Sequence, residues 1–235
     1  MLDSLGLKLI RVATNFREIN SHWGHCHGSA VASCLAIFQE RFSFGLVAQT
    51  MTYANNSISF EGVNPITDPL YSSDSFRLIP DGASDTRMAK MLSMRDWPEF
   101  LENVRVCWRH PTRKDENCCV CGKCVRTILQ FRTAGMGLPP AFAQDVSDET
   151  IRRLRLGPRE LRMTYEPILH EANRQGNDEP WVNALEKVVR RSRFGLAMAH
   201  RPKWLRLPYR AWRKIQLMRL KSKSVDGVDS VGEFL

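Results

Sequence analysis

The sequence predicts an α/β protein with a largely parallel sheet, a four-cysteine metal knuckle and a helical C-terminal extension. Short apolar runs alternate with helix-like segments over residues 8–133, which is typical of α/β domains. Five of the seven cysteines lie within residues 107–124, four of them at a regular spacing, and the chain becomes basic beyond Pro140. With 235 residues, 43% of them hydrophobic, the chain is long enough to bury a sizeable core.

The first predicted elements form a strand, a helix and a second strand. Residues 8–14, KLIRVAT, favour extended backbone because several are β-branched. Small and apolar residues at helical spacing predict a helix over 28–42. The apolar run over 44–51 lies between turn signals and predicts a buried strand.

The remaining elements of the α/β part are short. Residues 54–75 are rich in Asn, Ser, Pro and Asp, and they predict a long loop. The elements expected after it are a strand over 76–80, a helix capped by Ser84 or Asp85 that ends near Met94, a helical turn over 99–103, a strand over 104–108 and a helix over 121–133.

The chain beyond Pro140 changes in character. Ser147 is placed to open a helix, and Gly157 with Pro158 interrupts it. Further helices are expected over 159–171 and 181–191, with a linker over 174–180. The predicted organisation is an α/β domain over 1–140 with the knuckle at 107–124, a helical basic extension over 141–223 and a flexible tail over 224–235.

The net charge of +9 is concentrated at the C-terminal end. Residues 187–223, the basic segment, hold 13 basic residues and no acidic one. Within it, an apolar stripe follows steps of three and four: Trp204, Pro208, Ala211, Trp212, Ile215 and Met218. The segment is suited to an anionic membrane, to RNA, or to docking its stripe on the protein's own core.

Four cysteines follow the spacing Cys-x10-Cys-x2-Cys-x2-Cys, which predicts a structural zinc site. The predicted ligands are Cys107, Cys118, Cys121 and Cys124. Four protein ligands leave no position for water, so the metal would be structural. The neighbouring cations favour the thiolate state that binds metal, and they are Arg109, Arg113, Lys114 and Lys123.

Other interpretations of the cysteines stay open. A Cys-x2-Cys pair can be a redox pair, and a cysteine cluster can hold an iron–sulfur centre. Cys119 is a fifth thiol that can point outward or compete for the metal. A second cluster, His22, His25, His27 and Cys26, is interpreted as a polar loop because it lacks an obvious fourth ligand.

The location expected for the protein is the cytoplasm. No run of eighteen apolar residues exists, and MLDSLGLKLIRV lacks the pattern of a secretory signal. Thiols stay reduced in the cytoplasm, which favours metal sites over disulfides.

Three runs of the sequence carry a family resemblance. They are DPLYSSDSFRLIPDGASDTRMAK, VRVCW and NCCVCGKCVRTILQFRTAG. Together they resemble the C-terminal half of PP-loop ATP pyrophosphatases similar to 7-cyano-7-deazaguanine synthase, over roughly residues 8–137. Asp81, Gly82, Arg87 and Lys90 add to the cysteine pattern, whereas Cys119 stands where these relatives usually carry glycine.

The resemblance implies an adenine-nucleotide alpha-hydrolase-like, Rossmann-like parallel sheet. It also implies ATP with magnesium, activation of a carboxylate as an adenylate, and displacement of AMP by a nitrogen nucleophile. The family's phosphate loop, SGGxDS, does not occur in these 235 residues. We therefore expect a truncated or split member that is incomplete alone, with a partner chain or dimer mate completing the sheet, or a longer chain that carries the loop.

The predicted substrate or nucleotide residues are Asp81, Arg87, Lys90 and Tyr53. Arg and Lys bind phosphate or carboxylate groups, and Arg87 and Lys90 share a helix face at a spacing of three. Tyr53, with Asn55, follows from the rule that ligands bind at the carboxyl ends of parallel strands. The alternative interpretation is a solvated polar surface. The alternative function is a non-catalytic zinc-stabilised module that binds RNA or an anionic membrane through its basic helices, and no feature of the sequence names a substrate.

Overall fold

The computed structural model describes residues 2–19, 22–49, 52–55, 62–107, 116–199 and 214. The chain is of mixed α/β type and forms two compact units, residues 1–97 and residues 98–235. The predicted domain boundary near residue 140 stays a prediction.

The first unit contains a two-stranded parallel sheet. Strands β1 (Phe44–Ala48) and β2 (Arg77–Asp81) pair in register from Phe44 with Arg77 to Ala48 with Asp81. Both strands and their parallel direction were predicted, and the structure confirms them. Among the described residues the sheet has these two strands, so a wider Rossmann-like sheet stays a prediction.

Two helices precede the sheet. Helix α1 (Phe16–Ile19) is a single turn, and α2 (Trp23–Ala36) packs against β1. The core of this unit contains Ala32, Val47, Val63, Phe76 and Leu78. At Gly28 of α2 a Cβ atom would overlap the carbonyl oxygen of Gly62, so this position admits no side chain. The helix thus lies in direct contact with the loop before β2.

The predicted bounds of two helices need correction. Helix α2 begins before the predicted 28–42 and ends at Ala36, because the next N–H groups bond three residues back, that of Phe38 to the carbonyl oxygen of Leu35 and that of Gln39 to the carbonyl oxygen of Ala36. Helix α3 (Arg87–Ser93) is capped by Thr86, whose hydroxyl accepts from the Ala89 N–H at 3.2 Å, and not by Ser84 or Asp85.

Two predicted strands are wrong. Residues 8–14 form no strand with any described residue, because β-branched residues stabilise a strand only where a neighbour supplies hydrogen bonds. Residues 104–107 also form no strand, since the Asn117 side chain takes the place of a neighbouring strand. Trp108, the last residue of that predicted strand, lies outside the described residues.

The second unit is helical. Its helices are α4 (Pro98–Asn103), α5 (Gly122–Thr133), α6 (Asp148–Arg153), α7 (Pro158–Glu160), α8 (Glu166–Arg174) and α9 (Pro180–Ala199). A π-helical turn, Leu161–Tyr165, joins α7 to α8. Helix α5 buries Val125, Ile128, Leu129 and Phe131, and Phe131 contacts the rings of Phe100 and Phe142.

Local signals explain most of these helices. Ser147 caps α6 as predicted, since its hydroxyl accepts from the Thr150 N–H at 3.2 Å. Pro158 ends the preceding segment but also begins α7, where a missing N–H is harmless. Helix α9 is longer than the predicted 181–191 and includes the start of the basic segment. The residues of the apolar stripe predicted for the basic segment, and the tail over 224–235, lie outside the described residues.

In the described part of the chain, no helix combines the length and apolar character needed to cross a membrane.

Candidate metal centre

The four predicted cysteine ligands come together in the second unit. Cys121 is the N-cap of α5 and Cys124 lies in its first turn, while Cys118 precedes them in the knuckle. Cys107 reaches the same point from the segment that follows α4. Their four sulfur atoms all lie within 4.8 Å of one another. The cysteines are therefore positioned to hold a metal ion.

The sulfur–sulfur distances identify the kind of ion site. The Sγ of Cys121 lies 3.6 Å from that of Cys124 and 3.8 Å from that of Cys107, and the Sγ atoms of Cys118 and Cys124 are 3.9 Å apart. Four thiolates about 2.3 Å from one tetrahedral ion lie about 3.8 Å apart. A disulfide needs about 2.05 Å, and a four-iron cluster places each thiolate on a different iron, farther apart. The set fits a single tetrahedral ion.

The start of α5 tunes the protonation of these thiols. The hydrogen bond between the Cys121 and Cys124 thiols lowers the pKa of Cys121 to about 4 against the effect of burial, and the Cys124 and Lys123 N–H groups lower it further. Burial raises the pKa of Cys118 to about 11. The hydrogen bond to Cys121, together with burial, raises the pKa of Cys124 above its usual range. A metal ion bound by all four thiolates at neutral pH would therefore displace protons from Cys118 and Cys124.

Metal affinity should fall steeply on acidification. Because at least two thiols would lose protons when the ion binds, the apparent affinity should rise at least about a hundredfold per pH unit near neutrality. Chelator competition at pH 6, 7 and 8 measures this slope. Cys119→Ser should keep it unchanged, and an affinity independent of pH would contradict the proton displacement.

Asn117 was not singled out by the sequence, yet it holds the segment that carries Cys107. Its side-chain oxygen accepts from the N–H groups of Val106 at 3.0 Å and Cys107 at 3.2 Å. Its side-chain nitrogen donates to the carbonyl oxygens of Val104 at 2.8 Å and Ala141 at 3.0 Å. The amide thus satisfies four backbone groups and fixes one ligand of the centre.

Tyr165 connects the π-helical turn to the metal knuckle. Its hydroxyl donates to the carbonyl oxygen of Gly122 at 3.3 Å, next to the ligand Cys121. Burial, and then the Glu160 carboxylate, raise the pKa of Tyr165 above its usual range, so the hydroxyl stays protonated. Because α5 also packs against α8, the knuckle and the helical extension are linked at this point.

Tyr165→Phe should weaken this link without disturbing the packing. Loss of one hydrogen bond is expected to lower the free energy of unfolding by about 0.5–1.5 kcal/mol and to speed transfer of the metal to a chelator. Urea unfolding and the rate of metal transfer measure the two effects. Tyr71→Phe, at an exposed tyrosine, is the matched control and should change neither. An equally stable variant with unchanged transfer would contradict the role.

Cys119 is not part of the cluster. It is buried, and its thiol points at the carbonyl oxygen of Asn117 at 3.4 Å. Its φ of 59° is in the left-handed region, where glycine is favoured. Three of the flanking cations, Arg109, Arg113 and Lys114, lie outside the described residues.

The histidine-rich segment at the start of α2 forms a different kind of cluster. The rings of His22 and His25 stack with their centroids 5.9 Å apart, and Nδ1 of His27 lies 3.1 Å from the carbonyl oxygen of Trp23. Within the described ranges, the four-cysteine group is the one set of three or more candidate ligands close enough for a metal ion.

The other predicted site residues lie near the carboxyl ends of the two strands. Asp81 ends β2, and Nζ of Lys90 donates to the carbonyl oxygen of Gln49, just past β1, at 2.9 Å. The Lys90 side chain lies across Gly82, where φ is +67° and a Cβ atom would be 2.9 Å from Cε of Lys90. Tyr53 is exposed, and its N–H donates to the carbonyl oxygen of Ala83.

Arg87, the first residue of α3, is exposed. The side chain of Asn55 lies outside the described residues. The site role of Asp81, Arg87, Lys90 and Tyr53 stays a prediction.

Two buried polar residues near the carboxyl end of β1, Gln49 and Asp68, were not predicted from the sequence. The Gln49 amide donates to Oδ2 of Asp68 at 2.6 Å, and Oδ1 of Asp68 accepts from the Asn64 N–H at 3.0 Å. The Oε1 atom of Gln49 is buried and has no hydrogen-bond partner. The available signals were the position of Gln49 after a buried strand and that of Asp68 at the start of the DPL run.

Comparison of the chain with protein-family models, with curated proteins and with solved structures finds no match.

Proposed function

We propose that the four cysteines hold one structural zinc ion. The observation that carries the proposal is the set of sulfur–sulfur distances, which fits a tetrahedral ion with four thiolates. Such an ion would fix the start of α5, whose apolar side chains form much of the core of the helical unit. A structural role in a reducing compartment, the cytoplasm, agrees with free thiols at all seven cysteines.

Metal analysis of the purified chain tests this proposal. We expect about one zinc per chain, and a cobalt-substituted sample should show the absorption of a tetrahedral thiolate site. Iron with inorganic sulfide, or neither zinc nor iron, would overturn it.

We further propose that the chain is a deazaguanine-synthase-like component of an ATP-dependent carboxylate activation with nitrogen transfer. Support comes from the parallel pairing of β1 with β2 and from the placement of Asp81 and Lys90 near the carboxyl ends of these strands. Lys90 and Arg87 would bind phosphate or carboxylate groups, and Asp81 and Tyr53 would orient the ligand. A partner chain would complete a Rossmann-like sheet and bring the phosphate loop that binds ATP with magnesium.

Titration with ATP and magnesium tests the nucleotide role. Saturable binding is expected, and Lys90→Met should weaken it about tenfold or more, because a cation lost from a phosphate site removes a charge-assisted hydrogen bond. Lys187→Met, at an exposed lysine of the other unit, is the control and should leave the affinity unchanged. No binding of ATP by the wild-type chain, alone or with a co-purified partner, would contradict the proposal.

The second candidate function is a zinc-stabilised module that binds RNA or an anionic membrane through residues 187–223. It is favoured by the basic composition of this segment, of which Lys187 and Arg190 are exposed on α9. Other basic residues of α9 support the fold instead: Arg191 donates to the carbonyl oxygen of Leu154 at 2.7 Å, and Arg193 pairs with Glu166. Saturable binding to RNA or anionic vesicles without ATP binding would favour this function, and binding to none of the three would overturn both.

A further inference from the structure

Strand β1 has an edge to which no described residue bonds. The Ser43 carbonyl oxygen accepts from the Arg77 N–H and the Gln49 N–H donates to the Asp81 carbonyl oxygen, both at 2.9 Å. Because backbone groups alternate along a strand, the odd-numbered residues of β1 face β2. The N–H and C=O groups of Phe44, Leu46 and Ala48 therefore point to the opposite edge.

The far edge of β2 is closed in comparison. The Leu78 N–H donates to the hydroxyl of Ser72 at 3.0 Å, and Pro80 has no N–H to offer. The Ser73 N–H further ties this segment to the carbonyl oxygen of Phe76. Side-chain capping and proline are the usual means of blocking an edge strand. As far as the described residues show, the sheet is thus protected at β2 and open at β1.

The open edge also carries exposed apolar side chains. Phe44 is 59% exposed and Leu46 is 63% exposed, on the sheet face that they share with Ile79 opposite Leu46. The other face is covered by α2. Parallel sheets in proteins are nearly always covered on both faces, so this surface is typical of one that receives further structure.

The same unit contains a segment without regular secondary structure, residues 8–13. Residues 8–13 make no backbone hydrogen bond to any described residue, and Leu9 is 67% exposed and Ile10 52% exposed. The segment KLIRVAT has strong strand propensity and spans seven residues, enough to cover the five of β1. Within the described part of the chain, the strand-forming segment 8–14 and the free edge of β1 therefore do not pair with each other or with other residues.

We propose that β1 accepts residues 8–14 of a second copy of this chain as a third strand. If two copies exchange this segment about a two-fold axis, the backbone groups of both β1 edges and of both segments are hydrogen-bonded at once. Such a repeated interface is typical of symmetric dimers. Backbone hydrogen bonds to Phe44, Leu46 and Ala48 would supply the pairing, and the apolar side chains of 8–14 would extend the exposed face. The inference does not depend on ATP binding or on the identity of the metal.

Light scattering of the metal-loaded chain over a range of concentrations tests the exchange. A concentration-dependent dimer is expected, and Leu46→Pro should weaken it at least tenfold, because proline removes an N–H on the open edge and leaves the bonds between β1 and β2 in place. Leu138→Pro, at an exposed leucine of the other unit whose N–H makes no backbone hydrogen bond to a described residue, is the control. Ile10→Pro changes the donor segment, which makes no backbone bonds within the chain, so it should weaken the dimer equally without affecting the fold.

Hydrogen exchange separates the remaining outcomes. In the dimer the amides of Phe44 and Leu46 and every second amide of residues 9–13 should be protected, and dilution to the monomer should release them together. A wild-type chain that stays monomeric at high concentration, or a dimer that Leu46→Pro and Ile10→Pro leave intact, would overturn the proposal. Protection of these amides in a monomer would also overturn it, since the segment would then pair within its own chain.

Discussion

Cys121→Ser is expected to abolish metal binding and to unfold the helical unit around α5. The Cys121 sulfur is within 3.8 Å of two other ligand sulfurs, and its residue caps the helix that contains Ile128, Leu129 and Phe131. Structural zinc contributes about 10–16 kcal/mol of apparent binding free energy in small domains. That contribution is as large as the whole stability of a typical domain, about 5–15 kcal/mol. Metal content and thermal unfolding followed by circular dichroism measure the loss.

Cys119→Ser provides a matched control two residues away. Cys119 is also buried, but its sulfur is not among the four that converge, so serine should retain one metal per chain and nearly the same melting temperature. If Cys121→Ser kept its metal, or if Cys119→Ser lost it, the assignment of ligands would be wrong.

Asn117→Ala is expected to give the second largest effect, a loss of about 3–5 kcal/mol in the free energy of unfolding. The amide satisfies two N–H groups and two carbonyl oxygens, and alanine would leave these backbone groups without their partner. The segment that carries Cys107 would lose its anchor, so metal should also be released to chelators faster. Denaturant unfolding and the kinetics of metal transfer check both consequences.

Two further variants define the cause of this loss. Asn117→Asp keeps the shape and the acceptor but replaces the donor by an oxygen facing two carbonyl groups, so it should be nearly as destabilising as alanine. Asn103→Ala removes an exposed asparagine that donates to one carbonyl oxygen, that of Glu99, and should lower stability by about 0.5–1 kcal/mol. Equal effects of the Asn103 and Asn117 alanine variants would rule out the anchoring role.

The metal centre was predictable because most of its ligands lie close together in the sequence. Three of the four cysteines lie within seven residues, and their spacing alone brings the sulfurs together at the start of a helix. The strands β1 and β2 were also predictable, since each is a short apolar run between turn signals. Ser147 at the start of α6 is a third local signal that the structure confirms.

The incorrect strand predictions and the residues that were not predicted depend on contacts between residues far apart in the sequence. Residues 8–14 and 104–108 have the composition of strands, but a strand requires a neighbour, and no local pattern reports whether one is present. Asn117 exchanges hydrogen bonds with residues 104, 106, 107 and 141, a set of partners that only the folded chain defines. The pairing of Gln49 with Asp68 is likewise formed by residues nineteen positions apart.

The π-helical turn between α7 and α8 sets the rotational phase of the helix that follows it. Such a turn contains one residue more than an α-helical turn, and each residue of a helix corresponds to about 100° of rotation. Deleting one residue from Leu161–Tyr165 would therefore make the backbone more regular. It would also rotate the start of the turn relative to α8 by about 100°, so that Leu161 would no longer lie on the same buried side as Ile168 and Leu169. The shorter chain would thus have better local geometry, but the buried sides of the turn and of α8 would no longer be aligned. Single-residue deletions in this turn should therefore be tolerated less well than substitutions there.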